Sequence, residues 1–428
     1  MRITGANKTF DVTVDLVGSK SESNRALMIG YYGGFAPRIN NLSESDDTKL
    51  LAEILKAINA PKALNALKVI DCANAGTVLR FLATALSVET CRGASQKTWI
   101  LTGSDRMLKR PIGDLVDALR TMGADIEYTG QEGFPPLKIQ GNNLVETFPE
   151  TSPIHVNITR SSQFASSILL ALPVFQTFQK TSLHLDGDLS SLPYIDMTID
   201  LMRQFGIDVC RNGRDIYVKP SDYKDIEYTV ESDWTCASYW YEIVAFSENG
   251  RARLRNLHLD SKQGDAIVAK WFEQFGVQSV QNGNDIIITH VETFPETSQN
   301  RRNYVYTFDF TNNPDLYPTI AATCAGLGVK GDFTGLQNLK YKESDRVAAM
   351  TTELARVKTH GRASLPIVFD SHDDHRVAMA LAPLAMKIGA IEINNADVVS
   401  KSYPNFWKEV DSVISTEAVR RSGEISTI

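Results

Sequence analysis

The chain has 428 residues, of which 43% are hydrophobic and 22% charged, with a formal net charge of −7 and a pI near 5.6. This composition is ordinary for a folded globular protein and excludes a disordered chain, a collagen-like chain and a long coiled coil. The length suits about two to four domains, and the acidic balance disfavours non-specific binding to nucleic acid or to an anionic membrane, so any binding of anions must rest on positive charge gathered locally.

The opening stretch, MRITGANKTFDVTVDL, lacks a charged leader followed by an apolar core, and no apolar run reaches roughly 18 residues. Neither a secretory signal nor a membrane span is expected. The five cysteines, Cys72, Cys91, Cys210, Cys236 and Cys324, show no CxxC spacing. They read as free thiols of a reducing cytoplasm rather than a disulfide framework or a zinc site.

In chain order, a strand pattern over 10–17 (FDVTVDLV) runs into Gly18-Ser19-Lys20-Ser21-Glu22-Ser23-Asn24-Arg25 and then a helix. Backbone N–H groups at a helix start attract anions, and Lys20 and Arg25 add charge. The order lacks the GxxxxGK[ST] spacing of a P-loop, and a plain capped helix fits equally. Asp47 to Ala60 carries helical periodicity, with LKVID after it. Asn74-Ala75-Gly76-Thr77-Val78-Leu79-Arg80 places a glycine where a ligand could approach the backbone, with Arg80 about one turn on. Arg106 follows in LTGSDRM, just before Arg110-Pro111. It could present a planar fork to a carboxylate or phosphate, and both arginines could equally be surface charges.

A helix-then-hairpin unit then recurs. Its copies are Ile112 to Gly123 followed by ADIEY and PLKIQ, Tyr194 to Gly206 followed by IDVC and DIYV, and Asp265 to Gly276 followed by VQSV and DIIIT. The closing glycines suit left-handed helix ends. Asn212-Gly213 and Asn282-Gly283, between alternating runs, are strong hairpin signals. Weaker copies, at Asp47 to Ala60, Asp345 to Val357 and Asn405 to Ile414, bring the number of helix-centred units to six. The pattern predicts an α+β architecture with helices on mixed sheets, in two globular lobes.

Polar clusters interrupt the repeats. Arg160-Ser161-Ser162-Gln163 and Ser190-Ser191-Leu192-Pro193-Tyr194 each open a helix, as an oxyanion cradle or simply as caps. The C-terminal half supplies proton-transfer candidates: Asp315 in TNNPDLYPT, the run Lys342-Glu343-Ser344-Asp345-Arg346, Asp373-Asp374-His375-Arg376, and Lys401 in SKSYPNF. Such runs are also common on solvated faces. His372-Asp373-Asp374-His375 raises the question of a metal, but there is no HExxH and the remaining histidines are scattered, so none is expected.

The motifs GSKSESNRAL, SDDT, NAGTVLR, LTGSDRMLKRPIGDLVDALRTMGA, SSQF, LPYIDMT, KYKESDR, DDHRVAMAL and KSYPNF, in this order, resemble the enolpyruvyl transferases, and among them the 5-enolpyruvylshikimate-3-phosphate synthases. The resemblance covers nearly the whole chain. It implies a two-lobed fold with three βαβαββ units per lobe and the site in the cleft between them. The crossings would fall near Ser19 and Asp233, giving one lobe of 1–18 plus 233–428 and another of 19–232. The implied contacts to shikimate 3-phosphate are Lys20, Ser21, Arg25, Ser161, Ser162, Gln163, Ser191, Tyr194, Asp315, Asn338 and Lys342. Those to phosphoenolpyruvate are Lys20, Gly76, Arg106, Gln163, Arg346, Arg376 and Lys401. Asp315 and Glu343 resemble an acid/base pair, with Lys20 a further proton donor, and the inhibitor glyphosate would occupy space beside Gly76.

The implied reaction needs no metal or organic cofactor, and no nucleic-acid or membrane partner. By the same resemblance the protein is a cytoplasmic monomer. The chain departs from the family pattern at Val17 and Phe81, where proline is common, at the bulky Trp234, and in the short segment Pro61 to Ala73, which leaves room for one hairpin fewer. Two rivals share parts of this reading. One is an enolpyruvyl transferase acting on UDP-N-acetylglucosamine through a loop cysteine, for which Cys91 is the residue to test. The other is an RNA-end-processing protein on a related repeat fold, disfavoured by the acidic charge.

Overall fold

The computed structural model describes residues 1–5, 7–59, 69–89, 98–140, 153–174, 181–291, 305–359 and 366–415. Cys91 and most of the segment 61–73 lie outside them. The chain divides into two compact units, Ser19–Val230 on one side and Met1–Gly18 with Glu231–Ile428 on the other. No helix among the described residues is long and apolar enough to cross a membrane.

In the Ser19–Val230 unit, two four-stranded sheets repeat one pattern. Strand Val69–Asp71 lies parallel to Thr98–Thr102, which continues antiparallel into the Leu137–Gln140 and Asp125–Tyr128 hairpin. Strand Ile154–Asn157 lies parallel to Thr181–Asp186, which continues into the Asp215–Lys219 and Asp208–Asn212 hairpin. Each sheet alternates buried and exposed residues, as a sheet covered on one face requires. A two-stranded sheet pairs Arg38–Asn40 in parallel with Glu227–Thr229. Helices Lys20–Gly33, Gly76–Glu89, Gln163–Ala171 and Leu192–Gln204 pack on one another to form the core.

The other unit repeats the pattern, with Thr9–Val14 parallel to Asn249–Leu254 and the Asp285–His290 and Val277–Asn282 hairpin beyond. Its central helix, Trp234–Phe246, is buried along its entire length. Trp234, unusual as a sequence feature, stacks on Tyr241 with ring centroids 6.3 Å apart and donates through Nε1 to Glu231.

Gly123, Gly206 and Gly276 close their repeat helices with positive φ, as expected. Both Asn-Gly pairs mark hairpins, as expected: Asn212 pairs with Asp215 and Asn282 with Asp285, so each asparagine is the last strand residue. Gly213 and Gly283, at φ 60° and 62°, take the first turn position, where a two-residue turn with one left-handed residue wants glycine. The stretch Asp265–Gly276 is not one helix but a 3₁₀ turn, Gly264–Ile267, followed by the α-helix Val268–Glu273. The buried Asp265 carboxylate accepts from Thr235 and Asn313, which holds this first turn in place.

Glu242 is a charge-bearing residue inside an apolar core. It is fully buried, neither carboxyl oxygen has a hydrogen-bond partner among the described residues, and burial pushes its pKa well above the usual range. The group is therefore held protonated, and leaving it unsatisfied costs about 1–3 kcal/mol. Because the folded state binds this proton more tightly than the unfolded chain does, the contribution is most favourable below the unfolded pKa and is lost as pH rises. Asp265, pushed up to about 6 by burial and by Asp315, adds a slope of the same sign that is complete by about pH 7 and cancels in a comparison of variants. Glu242→Gln should therefore gain stability over the parent with rising pH, by up to about 1.4 kcal/mol per unit. Urea denaturation at pH 5, 7 and 8.5 measures this, and a difference independent of pH would exclude a neutral buried carboxyl.

Candidate active site

In the Glu231–Ile428 unit, five short elements deliver charge to one place. Asp315 lies in a 3₁₀ turn leading into helix Tyr317–Leu327, and Arg346 is the first residue of helix Arg346–Thr359. Lys342 and Glu343 occupy the link before that helix, Asp374 caps helix His375–Leu381, and Lys401 ends a further 3₁₀ turn. Arg346, 1% exposed, is the hub. Its Nη1 donates to Asp315 (2.7 Å), its Nη2 to Glu343 (2.8 Å) and its Nε to Asp374 (2.8 Å). Arg376 Nη2 lies 2.8 Å and Lys342 Nζ 3.2 Å from Asp315, and Lys401 Nζ lies 3.0 Å from Glu343.

Two opposing effects set the protonation states here. Burial alone would raise the Asp315 pKa, but Arg376, Lys342 and Arg346 override it and hold the carboxylate well below its ordinary range. Burial lowers Lys342, against the pull of Asp315. Burial would also lower Arg346, but Asp374, Glu343 and Asp315 outweigh it and the net shift is upward. Asp374 has no exposure and also accepts from the Arg376 backbone N–H at 3.0 Å, so one carboxylate positions both arginines. Glu343, Asp374 and His375 have donor atoms close enough for a metal, but both carboxylates already bind Arg346. His372 is turned to Glu353, with Nε2 at 2.9 Å. Asn338 stands in the turn Gln337–Tyr341, just before Lys342.

In the Ser19–Val230 unit, a buried polar network ties four helix starts together. Arg25, 1% exposed, donates to Thr198 (2.7 Å), Ser166 (3.1 Å), the Tyr194 carbonyl (3.2 Å) and the Ser21 carbonyl (2.7 Å). Four of its five N–H donors are thus engaged by protein. Burial lowers its pKa to about 10. Arg80 donates to Gln163 Oε1 (2.7 Å), and Gln163 Nε2 donates to Thr77 (2.8 Å), joining helix Gly76–Glu89 to helix Gln163–Ala171. The Lys20 ammonium lies 3.4 Å from Asp47, the carboxylate of the SDDT motif.

Of the serines at these helix starts, Ser19 caps its helix, its Oγ accepting from the Glu22 N–H. Ser162 and Ser191 hold the cap positions of their helices without a side-chain cap bond, and Ser161 Oγ accepts from the Gln163 N–H at 3.2 Å. Ser191 takes a left-handed conformation, φ 55°, which costs a non-glycine residue about 1–2 kcal/mol. The half-buried Tyr194 lies in the first turn beyond it. A Cβ on Gly76 would stand 2.4 Å from Arg110 Nη1 and 2.8 Å from Arg80 Nη1, so this glycine lets two guanidinium groups close over the backbone. Arg110 is buried, and its Nε and Nη1 have no hydrogen-bond partner among the described residues. Arg106, half-buried, precedes the turn Met107–Lys109 that leads to Arg110.

The residues expected from sequence thus fall into two sets, one in each unit. Asp47, Asp265 and Arg110 were not singled out, and Asp374 was named only within a run of proton-transfer candidates. Asp47 and Asp374 stood inside quoted motifs, and their position beside a Lys or an Arg at a helix start was the signal for them. Of the described cysteines, Cys72, Cys236 and Cys324 are buried, and burial pushes the Cys72 and Cys324 thiols up, the latter to about 12.

Comparison with known proteins agrees with this chemistry. Residues 6–410 match the model of the EPSP synthase (3-phosphoshikimate 1-carboxyvinyltransferase) family. The chain is 37% identical to a 3-phosphoshikimate 1-carboxyvinyltransferase of Bacteroides fragilis, with 95% of this chain and 96% of that protein covered. It is 32% identical to one of Vibrio vulnificus, with 95% and 97% covered. The EPSP synthase structure from Acinetobacter baumannii superposes with a TM-score of 0.68 at 22% identity, covering 97% of this chain and 98% of that one. The chain belongs to the EPSP synthase family.

Proposed function

We propose that the two sets of side chains act on one pair of substrates, and that through them the chain performs its family's reaction. That reaction transfers the enolpyruvyl group of phosphoenolpyruvate to the 5-hydroxyl of shikimate 3-phosphate and releases phosphate. Ser161, Ser162, Ser191, Tyr194, Gln163, Lys20, Ser21 and the remaining donor of Arg25 bind shikimate 3-phosphate, with Asp315, Asn338 and Lys342 from the other unit. Arg106, Arg346, Arg376, Lys401, Lys20, Gln163 and the Gly76 backbone bind phosphoenolpyruvate. Arg110 joins this set.

Asp315 takes the proton of the 5-hydroxyl as its oxygen bonds to C2 of phosphoenolpyruvate, while Glu343 or Lys20 protonates C3. In the second half the C2–O bond to phosphate breaks and C3 gives its proton back. Both substrates are anionic, and the cation clusters offset their mutual repulsion. The observation that carries the reading is the placement of the acid and the base on a single buried arginine, Arg346, among three further cations. The reading asks for no metal, nucleotide or second copy of the chain, and assigns the enzyme to the cytoplasm as a monomer.

The direct test mixes the protein with shikimate 3-phosphate and phosphoenolpyruvate and follows phosphate release. Turnover only with a nucleotide sugar would favour the enolpyruvyl transferase that acts on UDP-N-acetylglucosamine. Asp315→Asn should lower kcat by about 10²–10⁴-fold. It also leaves Arg376 and Lys342 uncompensated, so KM for phosphoenolpyruvate should not rise; a fall in kcat of less than tenfold would remove Asp315 from the base role. Gly76→Ala pushes Arg110 aside and also fills ligand space. It should raise KM for phosphoenolpyruvate and raise the glyphosate inhibition constant by a larger factor. Equal factors would mean that the methyl acts through Arg110 alone.

A further inference from the structure

A second cluster of chemistry-bearing side chains lies on the solvent face of a sheet in the Ser19–Val230 unit. On a strand, alternate residues share a face, which puts His184 and Asp186 side by side on strand Thr181–Asp186. The parallel register sets His155, on strand Ile154–Asn157, opposite His184, and the antiparallel register sets Asp215 opposite His184 from the other side. His155 Nδ1 lies 3.1 Å from Asp186 Oδ2, and His184 Nε2 lies 3.7 Å from Asp186 Oδ1. One donor atom from each of His155, His184 and Asp186 lies within 4.8 Å of the others. A tetrahedral ion with bonds of about 2.0–2.1 Å needs its donors roughly 3.4 Å apart, so modest side-chain adjustment closes the site.

The fourth residue makes this more than a surface ion pair. His184 Nδ1 stands 2.7 Å from Asp215 Oδ1. A proton on Nδ1 shared with Asp215 leaves the Nε2 lone pair facing His155 and Asp186. This is the carboxylate–imidazole arrangement that fixes the tautomer of metal-binding histidines. We propose that His155, His184 and Asp186, with Asp215 behind His184, form a divalent-metal site for zinc or a similar borderline ion, with water completing the tetrahedron. Two imidazoles and a carboxylate suit Zn²⁺, Co²⁺ and Ni²⁺ over Mg²⁺ or Ca²⁺, which prefer all-oxygen shells.

The site lies apart from the proposed chemistry but on the strands that feed it. Strand Ile154–Asn157 leads to Ser161 and Ser162, and strand Thr181–Asp186 leads to Ser191. The two connecting loops are already linked, since the Asp188 N–H donates to Thr159 Oγ1 at 2.9 Å. A metal bonded across these strands braces both serine loops at their base.

Titration of the metal-free full chain with ZnCl₂ in a calorimeter, and with CoCl₂ by visible absorption, tests the proposal. One equivalent of zinc should bind and raise the thermal midpoint, and cobalt should give the intense bands of a tetrahedral complex. His184→Asn or Asp186→Asn should weaken zinc by at least tenfold. Asp215→Asn, which touches no metal, should weaken it by about 10–100-fold. Phosphate release by the metal-free variants, unchanged from the parent, shows that they are folded. Zinc that binds these variants as it binds the parent, including zinc held at Glu343, Asp374 and His375, would overturn the assignment, as would octahedral cobalt spectra or no binding.

Discussion

Buried cations need anions. Arg346 is almost completely enclosed, and three carboxylates from three separate elements surround it. Removing one partner of a buried pair typically costs about 3–5 kcal/mol, because the other charge is left without compensation. The Glu231–Ile428 unit therefore folds around this guanidinium as much as around its apolar core. Helix starts at Tyr317, Arg346 and His375, and the turn ending at Lys401, converge because their charged residues must meet. On the proposed assignment, a site for anionic substrates is the by-product of that requirement, since cations held by the protein's own carboxylates can be handed to a ligand's.

The Ser19–Val230 unit meets a related requirement with neutral groups. Arg25 is satisfied by two carbonyls and two hydroxyls, and Arg80 binds the side-chain oxygen of Gln163. Such partners orient a guanidinium without cancelling its charge, so the ends of these helices keep a positive field. The helix dipoles act in the same direction. Serines that leave their hydroxyls unused for capping, one of them in a left-handed conformation, add directional donors to that field.

Local signals made most of this architecture legible. Amphipathic periodicity located the repeat helices, and glycines marked their ends, because both depend on a few adjacent residues. The serine clusters stood out because helix starts use a small set of residue types. The Asn-Gly hairpins were legible, whereas the register that decides which residue is last in the strand is a long-range property. The 3₁₀ turn at Gly264–Ile267 was missed because Thr235 and Asn313, distant in sequence, hold Asp265. Unusual residues at known positions were readable only in three dimensions. Phe81 lies beneath the Arg25 guanidinium at 5.6 Å, and Trp234 fills core space against Tyr241. Glu242 looks like any helical glutamate until its neighbours are known. The His155, His184 and Asp186 cluster depends entirely on strand register.

On the proposed assignment, Asp315 serves two functions that conflict until substrate arrives. As the counterion of Arg376, Lys342 and Arg346 it is held ionised far below neutral pH, which makes it a weak base. The phosphate and carboxylate groups of the substrates compete for the same cations. As they take over those contacts, the attraction that depressed the carboxylate pKa falls, while burial, which raises it, stays. Asp315 then becomes more basic in the complex than in the free protein, and it does so only when the cations beside it are occupied. Proton abstraction is thereby tied to the presence of the anions it must follow. The residue that keeps the empty cluster stable is released to do chemistry by the event that makes chemistry useful.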